Sequence, residues 1–283
     1  MNIAATVIIY NPDKSVIANI NSYSSFVKKL FIIDNSEVNV LEITDEIEKI
    51  ERCEYLHDGE NRGIAFRLNQ ACKLAILEGY EYLLTMDQDS TFSTNNINNY
   101  FNCINNFPKK EEAAMFAVGY TNPNEESAVC RSIITNEIIT SGSIINLSLF
   151  PIVGDFDENL FIDAVDSEYC YRASTLNYLI VQFTNIFLMH KIGTVSNHSL
   201  VFFSNKTPRM LHSPLRLYYM TRNFLYVKSK YKKSCPQSIK HSKEALLNRL
   251  KNNFLFNKQK LLIAKYVLRA IVDFNKGNMG KYK

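Results

Sequence analysis

Short apolar runs alternate with amphipathic stretches along the first ninety residues. The strand-like runs cover residues 4–10, 29–33, 53–57 and 81–86. The helix-like stretches between them cover residues 12–27, 43–50 and 64–78. Gly79 follows the last of these stretches, at the position where glycine commonly ends a helix. Strands that alternate with helices in this way predict an α/β domain, with a mostly parallel sheet flanked by helices.

The fourth predicted strand ends in two aspartates, Asp87 and Asp89, which are separated by Gln88. Because side chains alternate along a strand, residues two apart point the same way, and both carboxylates can face one site. Two carboxylates suit Mn²⁺ or Mg²⁺, which leave coordination positions open for substrate phosphates. The alternative is an ordinary solvated turn, since Asp, Gln and Ser are common turn residues. The spacing therefore predicts a metal site but does not by itself exclude a turn.

Polar residues also follow the first and second strands. Tyr10 and Asn11 come directly after the first strand, and Asp34 follows the second. The carboxyl ends of parallel strands share one edge of the sheet, where open α/β folds bind ligands. A carboxylate there can accept from a pyrimidine N–H or a ribose hydroxyl. The sequence contains neither G-x-G-x-x-G nor G-x-x-x-x-G-K-[ST], which argues against a dinucleotide enzyme and a P-loop NTPase.

Composition places the chain among globular proteins. Of its 283 residues, 46% are hydrophobic, which is far from a disordered composition. The apolar N-terminus has no basic lead or cleavage site and predicts a first strand rather than a signal peptide. No run reaches the roughly 18–20 apolar residues that a membrane-spanning helix needs. The six cysteines form no C-x-x-C pair, so we expect reduced thiols in a cytoplasmic protein, and no zinc site.

Charge is distributed unevenly between the two ends of the chain. Residues 228–283 contain fifteen Lys and Arg against Glu244 and Asp273, a balance of +13 within a chain of net charge +4. Apolar residues recur near helical spacing at about residues 242–274, with Lys and Arg between them. A basic amphipathic helix of this kind is typical of segments that lie in an anionic membrane surface without spanning it. The alternatives are that the apolar positions are core, or that the basic face is merely solvated.

Eight motifs in this order resemble those of the family 2 glycosyltransferases, inverting enzymes with a GT-A fold, and most of all its bacterial rhamnosyltransferase branch. The resemblance covers the first 225 residues. The motifs are T-V-I-I-Y-N-P (6–12), I-I-D-N-S (32–36), E-N-R-G-I-A (60–65) followed by L-N-Q-A, M-D-Q-D-S (86–90), S-G-S-I-I (141–145), F-D-E-N-L-F-I-D-A-V-D-S-E-Y-C-Y-R (156–172), H-K-I-G (190–193) and L-R-L-Y-Y-M-T-R-N (215–223).

The resemblance implies roles for the residues at the strand ends. Asn11 and Asp34 would hold the nucleotide base, Asp87 would lie next to the nucleotide, and Asp89 would bind the metal. The full set that we expect to bind the nucleotide sugar is Tyr10, Asn11, Asp34, Asn61, Arg62, Asp87 and Gln88. Arg62 lies in a glycine-flanked loop and can bind phosphate with two donors, although a surface salt bridge is an equally good interpretation.

The acidic run before Arg172 is the second place where we expect chemistry. An inverting transfer needs a general base for the acceptor hydroxyl, and a carboxylate can serve. The candidates are Asp166, Asp163 and Glu168. The family's Glu-Asp pair falls on Val165-Asp166, so this sequence keeps only the Asp, and Asp166 is the preferred base. If the run is helical, Asp163 and Asp166 share a face; the alternative is that acids only favour a helix N-terminus.

Three further residues complete the predicted site. His190 follows an apolar strand-like run, and the resemblance implies that such a histidine completes the metal site with Asp87 and Asp89. A structural histidine is the alternative, and His198 and His212 are competing choices of ligand. Ser141 and Gly142 are expected near the donor or acceptor sugar, because a glycine lets backbone approach a ligand closely.

The sequence therefore predicts a GT-A domain at residues 1–225 and a basic amphipathic helical extension at 226–283. The resemblance implies transfer of L-rhamnose from dTDP-L-rhamnose to a lipid-linked oligosaccharide, in the synthesis of a surface polysaccharide such as O-antigen or capsule. We expect Mn²⁺ or Mg²⁺ as cofactor, and a cytoplasmic protein bound peripherally at the inner face of the membrane. The alternatives are a nucleotidyltransferase and a nucleic-acid-binding tail; the tail lacks any known nucleic-acid motif, so no nucleic-acid partner is expected.

Overall fold

A computed structural model describes residues 1–119, 129–190, 195–198 and 207–283. The strands are β1 Ile3–Ile9, β2 Lys29–Asp34, β3 Cys53–His57, β4 Tyr82–Asp87, β5 Ser90–Thr91, β6 Ala113–Gly119, β7 Ser132–Ile134, β8 Ser143–Asn146, β9 Leu179–Phe187, β10 Met189–His190, β11 Val195–His198 and β12 Thr207–Met210. The helices are α1 Ser15–Asn21, α2 Leu41–Ile47, α3 Ile64–Leu77, α4 Thr94–Asn105, α5 Phe150–Val153, α6 Val165–Thr175, α7 Pro214–Tyr231, α8 Pro236–Phe256 and α9 Lys260–Lys276.

The N-terminal half of the main sheet consists of parallel strands in the order β3-β2-β1-β4. Strands β1, β2 and β4 are nearly continuous apolar runs, as expected where helices cover both faces of a parallel sheet, whereas β3 at the edge is half-buried. In β1, six of the seven residues are buried. The buried face of α3 includes three small residues, Ala65, Ala71 and Ala75, which are fully buried. The predicted α/β alternation is confirmed in this half of the sheet.

The rest of the sheet is mixed. Strand β8 lies between β4 and β6 and runs antiparallel to both, β9 is parallel to β6, and β7 is antiparallel to β9 at the edge. The sheet core is aromatic here, where Phe116 and Phe183 stack and Tyr100 meets Phe183 edge to face. Parallel pairings outnumber antiparallel ones in this sheet, as the sequence predicts.

The chain divides into two compact units. One contains Met1–Glu158 and Val165–Lys191, and the other contains Asn159–Ala164 and Ile192–Lys283. The boundary that we predict at residue 225 falls inside helix α7, which belongs wholly to the second unit. The predicted helix at residues 242–274 is two helices, α8 and α9, since the helical backbone stops between Phe256 and Lys260.

The helices of the second unit bury one set of apolar residues and expose another. Leu246, Ile263 and Ala270 are buried, so part of the predicted amphipathic pattern belongs to the core of this unit. Leu261 and Leu268 remain 89% and 63% exposed. No helix in the described part of the chain is long and apolar enough to cross a membrane.

Two of the six cysteines are joined. A disulfide links Cys103 of α4 with Cys130, so the expectation that all six are reduced thiols is wrong for this pair. Their spacing of 27 residues carries no recognisable signal in the sequence, because the two residues meet only through the fold. Cys53, Cys72, Cys170 and Cys235 are free thiols, and burial raises the pKa values of the Cys72 and Cys170 thiols, which keeps them protonated.

Gly142 provides a test of the packing between β8 and its neighbours. Its φ is +72°, and an added Cβ would lie 3.1 Å from Val118 Cγ2 and 3.2 Å from Leu188 Cδ2. We expect Gly142→Ala to lower the free energy of unfolding by about 2–4 kcal/mol, combining left-handed backbone strain with overpacking. Urea denaturation measures this change.

Gly79→Ala is the matched control. Gly79 has φ +79°, and an added Cβ there would meet nothing within 4 Å in the described structure. Gly79→Ala should lower the free energy of unfolding only through left-handed backbone strain, by about 1–2 kcal/mol. Equal losses in the two variants would contradict the packing described around Gly142.

Candidate active site

Asp34 and Asp87 lie at the same edge of the sheet. Strand β1 pairs with β2 and β4 on its two sides, and in these registers Ile9 is opposite Asp34 while Ile8 is opposite Asp87. The two carboxylates thus end the strands that flank β1, and Tyr10 and Asn11 follow β1 itself. The prediction that three strand ends meet at one edge is confirmed.

Asp34 is 1% exposed and is held by two hydrogen bonds. The Ser36 backbone N–H donates to Oδ1 at 2.9 Å, and the Tyr55 hydroxyl donates to Oδ2 at 2.7 Å. Burial, together with the neighbouring Asp34 carboxylate, raises the pKa of Tyr55 to about 12, so Tyr55 stays a donor at neutral pH. Each carboxylate oxygen has a second lone pair. Asp34 can therefore accept a further N–H from a ligand in a fixed orientation.

Gln88 joins the ends of β1 and β4. Its side-chain Oε1 accepts from the Tyr10 N–H at 2.8 Å, and its Nε2 donates to the Tyr10 carbonyl at 3.3 Å. The Gln88 backbone carbonyl in turn accepts from Asn19 Nδ2 at 2.8 Å. The Gln88 amide extends the β1–β4 pairing by one step, which is a positioning role that the sequence does not reveal.

Asn11 and Asn35 organise the loops beside Asp34. Asn11 has φ +45°, and its backbone N–H donates to Ser36 Oγ at 2.7 Å. Asn35 is buried; its Nδ2 donates to Asn61 Oδ1 at 2.9 Å, and its Oδ1 accepts from the Arg62 N–H at 2.9 Å. The loop that contains Asn61 is therefore hydrogen-bonded to Asn35, the residue that directly follows Asp34 at the end of β2.

Arg67 is the residue that sequence reasoning missed. It is 1% exposed; its Nε donates to Asn35 Oδ1 at 3.0 Å, and its Nη1 and Nη2 donate to both carboxylate oxygens of Asp58. A further Nη2 bond reaches the Glu60 carbonyl at 2.6 Å. The available signal was its position four residues before Ala71, on the apolar face of the predicted helix. Arg67 clamps the loop after β3 onto β2.

Arg62 lies at the surface in this loop. It is within 3.1 Å of Asp58 and 3.0 Å of Glu60, and its side chain is 40% exposed. Its guanidinium also lies over the Phe66 ring, 5.0 Å from the centroid. The surface salt bridge that we weighed as an alternative is present, and binding of phosphate by Arg62 stays a prediction.

The residues around the Asp-x-Asp pair are tied together by backbone and hydroxyl groups. The Asp87 N–H donates to Ser141 Oγ at 3.1 Å, and Ser141 Oγ donates to Ser90 Oγ at 2.8 Å. Strand β10 pairs with β5 so that His190 is opposite Ser90, the residue after Asp89. The remaining residues of the predicted H-K-I-G motif, 191–193, lie outside the described residues.

The donor set at this position fits a hard divalent cation. Asp87 is exposed, Asp89 is half-buried, and the backbone pairing brings a histidine next to them along the sheet edge. Carboxylate oxygens and an imidazole nitrogen are suitable ligands for Mn²⁺, and carboxylates for Mg²⁺. Among the side chains that the structure describes, no group of three or more metal-ligating residues is gathered. His212, one of the competing choices of metal ligand, belongs to the second unit, where its backbone N–H donates to Asn253 Oδ1 at 2.9 Å.

Ser141 and Gly142 make contacts within the protein, and the expected contact with a sugar stays a prediction. The direction in which a Cβ of Gly142 would point is filled by Val118 and Leu188, so the glycine is required by core packing and by its positive φ. Its N–H donates to the Thr85 carbonyl at 2.8 Å. Ser141 is buried and holds the Asp87 N–H. The absence of a Cβ at Gly142 thus leaves room for the side chains of Val118 and Leu188.

Asp166 and Glu168 lie in the first turn of α6, with different surroundings. Asp166 is half-buried, and its Oδ1 accepts from the Ser167 N–H at 2.8 Å. Glu168 is fully buried and paired with Arg172 at 2.8 Å. Arg172 also donates to the carbonyls of Val153 and Asp155. Glu168 is thus part of a buried network that fixes α6, which leaves Asp166 the more accessible carboxylate of the two.

Asp163 is not on a helix with Asp166, as we considered, because α6 begins only at Val165. Asp163 and Ala164 both have left-handed backbone, with φ of +68° and +64°. Within the second unit, Arg216 Nη2 donates to Asp163 Oδ1 at 2.7 Å. Burial raises the pKa of Asp163, and the Arg216 charge opposes that shift. Asn223 Nδ2 donates to the carbonyls of Ile162 at 2.7 Å and Asp163 at 3.0 Å, which holds this strained turn.

Comparison with known proteins supports this fold. Residues 7–126 match the profile of the glycosyl transferase family 2. The dTDP-rhamnosyl transferase RfbF of Shigella flexneri is 28% identical over 244 residues, covering 78% of each chain. TarS of S. aureus superposes with a TM-score of 0.58 at 17% identity, over 98% of this chain and 49% of TarS. GalNAc-T7 with UDP, GalNAc and Mn²⁺ gives 0.61 at 10% identity, over 97% of this chain and 56% of that chain.

The mixed α/β sheet of this order is of the GT-A type, and it has carboxylates at the carboxyl ends of β2 and β4. The match of residues 7–126 to the glycosyl transferase family 2 model, together with the dTDP-rhamnosyl transferase relative, indicates that the chain is a glycosyltransferase. The structural likenesses lie below 25% identity and support the fold alone. The two sequence matches favour a glycosyltransferase over the nucleotidyltransferase alternative.

Arg67 gives a test of the loop clamp. We expect Arg67→Met to lower the free energy of unfolding at pH 7 by about 1–3 kcal/mol, because Asn35, Glu60 and Asp58 lose their donors. Hydrogen bonding to Arg67 lowers the pKa of Asp58 from 3.8 to about 2. This stabilisation is therefore complete above about pH 4 and is lost as pH falls towards 2. Urea denaturation between pH 7 and pH 2 should show a steeper acid loss in the wild type than in Arg67→Met.

Lys73→Met on the same helix is the control. Lys73 pairs with Asp155, but its side chain is 60% exposed, so the change should be within about 0.5 kcal/mol. If Arg67→Met were no more destabilising than Lys73→Met, the clamp would have no energetic role.

Proposed function

We propose that this enzyme transfers L-rhamnose from dTDP-L-rhamnose, with inversion, to a lipid-linked oligosaccharide in the assembly of a surface polysaccharide such as O-antigen or capsule. The observation that carries the proposal is the placement of Asp34 and Asp87 on either side of β1 at one edge of the sheet. The name of the Shigella flexneri relative, a dTDP-rhamnosyl transferase, supports the choice of donor.

The nucleotide would bind across this edge. Thymine carries an N–H between two carbonyls, and Asp34, held by Tyr55 and Ser36, would accept that N–H. Asn11 and Tyr10 would border the base from the end of β1. Asn61 and Arg62 would approach from the loop that Arg67 clamps. In this arrangement Gln88 holds the backbone of Tyr10 and so fixes where Tyr10 meets the nucleotide.

Asp89, Asp87 and His190 would hold the divalent cation, Mn²⁺ or Mg²⁺. When bound, such an ion neutralises the charge of the nucleoside diphosphate and so eases its departure. The protein's own contribution is to fix Asp87 through its N–H to Ser141. Electron paramagnetic resonance of Mn²⁺ titrations should show loss of one bound ion in Asp89→Asn, and retained binding in that variant would contradict the assignment.

Asp166 would act as the general base. The acceptor hydroxyl oxygen attacks the anomeric carbon as its proton passes to Asp166, and the bond from that carbon to the diphosphate oxygen breaks, releasing dTDP. Among the three candidates, Glu168 is neutralised by Arg172 and Asp163 by Arg216, which supports Asp166 as the base.

The second unit would bind peripherally to the inner, cytoplasmic face of the membrane. Helices α8 and α9 expose Leu247, Leu261 and Leu268 next to basic residues such as Lys251 and Lys265. Apolar insertion and attraction to anionic lipid act together in such helices. Co-sedimentation should be greater with phosphatidylglycerol vesicles than with phosphatidylcholine vesicles, and equal partition would contradict this part of the proposal.

A donor screen tests the proposed reaction. Purified enzyme is incubated with a lipid-linked acceptor and each of dTDP-L-rhamnose, dTDP-glucose, UDP-glucose and UDP-GlcNAc, with and without EDTA. We expect release of dTDP from dTDP-L-rhamnose only, and its loss on chelation, because base, sugar and metal are each recognised. Turnover with UDP-hexoses alone would refute the rhamnose donor.

Asp166→Asn tests the base. It should reduce kcat by about 10²–10⁴-fold while leaving dTDP affinity nearly unchanged, because only proton removal is lost. Asp163→Asn and Glu168→Gln are the comparisons, and each should also destabilise the fold because it breaks an ion pair. If Asp163→Asn were inactive but stably folded, and Asp166→Asn kept most of its rate, the base would have to be reassigned to Asp163.

A further inference from the structure

The second unit contains a cavity of about 330 Å³ between α7, α9 and the residues that follow α9. This volume is at the lower end of the roughly 300–1,000 Å³ of small-ligand sites. Its charged lining residues are Arg222, Arg269, Lys281, Lys283 and Asp273. Four cationic side chains against one carboxylate side chain give this lining a side-chain charge of +3.

Asp273 is already engaged by the protein. It accepts from the Tyr218 hydroxyl at 2.9 Å, from Arg269 Nε at 2.8 Å and from Asn278 Nδ2 at 3.1 Å. Burial acts to raise the pKa of Asp273, but these hydrogen bonds outweigh it and lower the pKa. The Asp273 carboxylate is thus ionised, and its charge is balanced by the Arg269 with which it pairs.

Arg222 is 1% exposed, and its partners in the described part of the chain are neutral. It donates to the Gly280 carbonyl at 2.8 Å and, over longer distances, to the carbonyls of Asn278 and Asn159. Its guanidinium lies 5.2 Å from the centroids of the Tyr218 and Tyr219 rings. Its Nη1 donates to the Tyr218 hydroxyl at 3.2 Å, and that hydroxyl donates to Asp273, whose charge Arg269 already balances. A buried cation whose own hydrogen-bond partners are neutral favours an anion close to it.

We infer that this basic cavity, formed by Arg222, Arg269, Lys281 and Lys283, is a binding site for a phosphoryl or diphosphate group. Arg222 contributes the buried charge at the wall, and the lysines, both exposed, supply ammonium donors that can close on the anion. The group can belong to the lipid carrier of the acceptor or to a membrane headgroup. Its biological meaning rests on the proposed function, but the binding can be measured without turnover.

Calorimetric titration with inorganic pyrophosphate tests this inference. EDTA is present so that metal–pyrophosphate cannot bind at the Asp-x-Asp edge. The wild type should bind one pyrophosphate saturably, and Lys281→Glu/Lys283→Glu should weaken binding about tenfold or more, because two favourable interactions become repulsive. Lys240→Glu/Lys243→Glu makes the same charge change at exposed positions of α8 outside the cavity and should weaken binding far less.

Two further binding experiments identify the source of the phosphoryl group. Farnesyl diphosphate that binds more tightly than pyrophosphate, with the same sensitivity to Lys281→Glu/Lys283→Glu, supports a lipid-linked diphosphate. Binding to phosphatidylglycerol vesicles that pyrophosphate reverses supports a membrane headgroup. Equal weakening in the two double variants, or no saturable binding by the wild type, would overturn the site. Rhamnose transfer by an enzyme that binds no pyrophosphate would leave the proposed function intact.

Discussion

The register of β1 between β2 and β4 is the constraint on which the candidate site depends. A parallel sheet brings the carboxyl ends of its strands to one edge, and this register sets Asp34 and Asp87 opposite consecutive residues of β1. A shift of one residue would turn these side chains to the other face of the sheet. The apolar runs that bury both faces of β1 fix this register, and they therefore also determine where Asp34 and Asp87 lie.

Polar side chains convert this sheet edge into a fixed site. Gln88 bonds the backbone of Tyr10, and Ser141 bonds the backbone of Asp87, so the ends of β1 and β4 are held by side chains that need not touch a ligand. Arg67 does the same for the loop after β3. In the second unit, Asn223 performs the comparable task for the left-handed turn at Asp163. These residues explain why loops with few regular hydrogen bonds keep a defined conformation.

The sequence predicted the features that depend on periodicity and on strand ends. The α/β alternation, the shared edge and the acidic start of α6 follow from local patterns. The features that it did not predict depend on contacts distant in the chain. Gly142 meets Val118 and Leu188, and Cys103 meets Cys130, only once the sheet has formed. The role of Arg67 is likewise not predicted, because Arg67 meets Asn35 and Asp58 only in the folded chain, where its carboxylate partner makes burial of the arginine possible.

The most direct test of the account is a crystal structure of the enzyme with dTDP and Mn²⁺. The account predicts the thymine N–H within hydrogen-bonding distance of the Asp34 carboxylate, and the ion and diphosphate next to Asp87 and Asp89. Nucleotide bound at another edge of the sheet, or a base that does not contact the loops after β1 and β2, would contradict it.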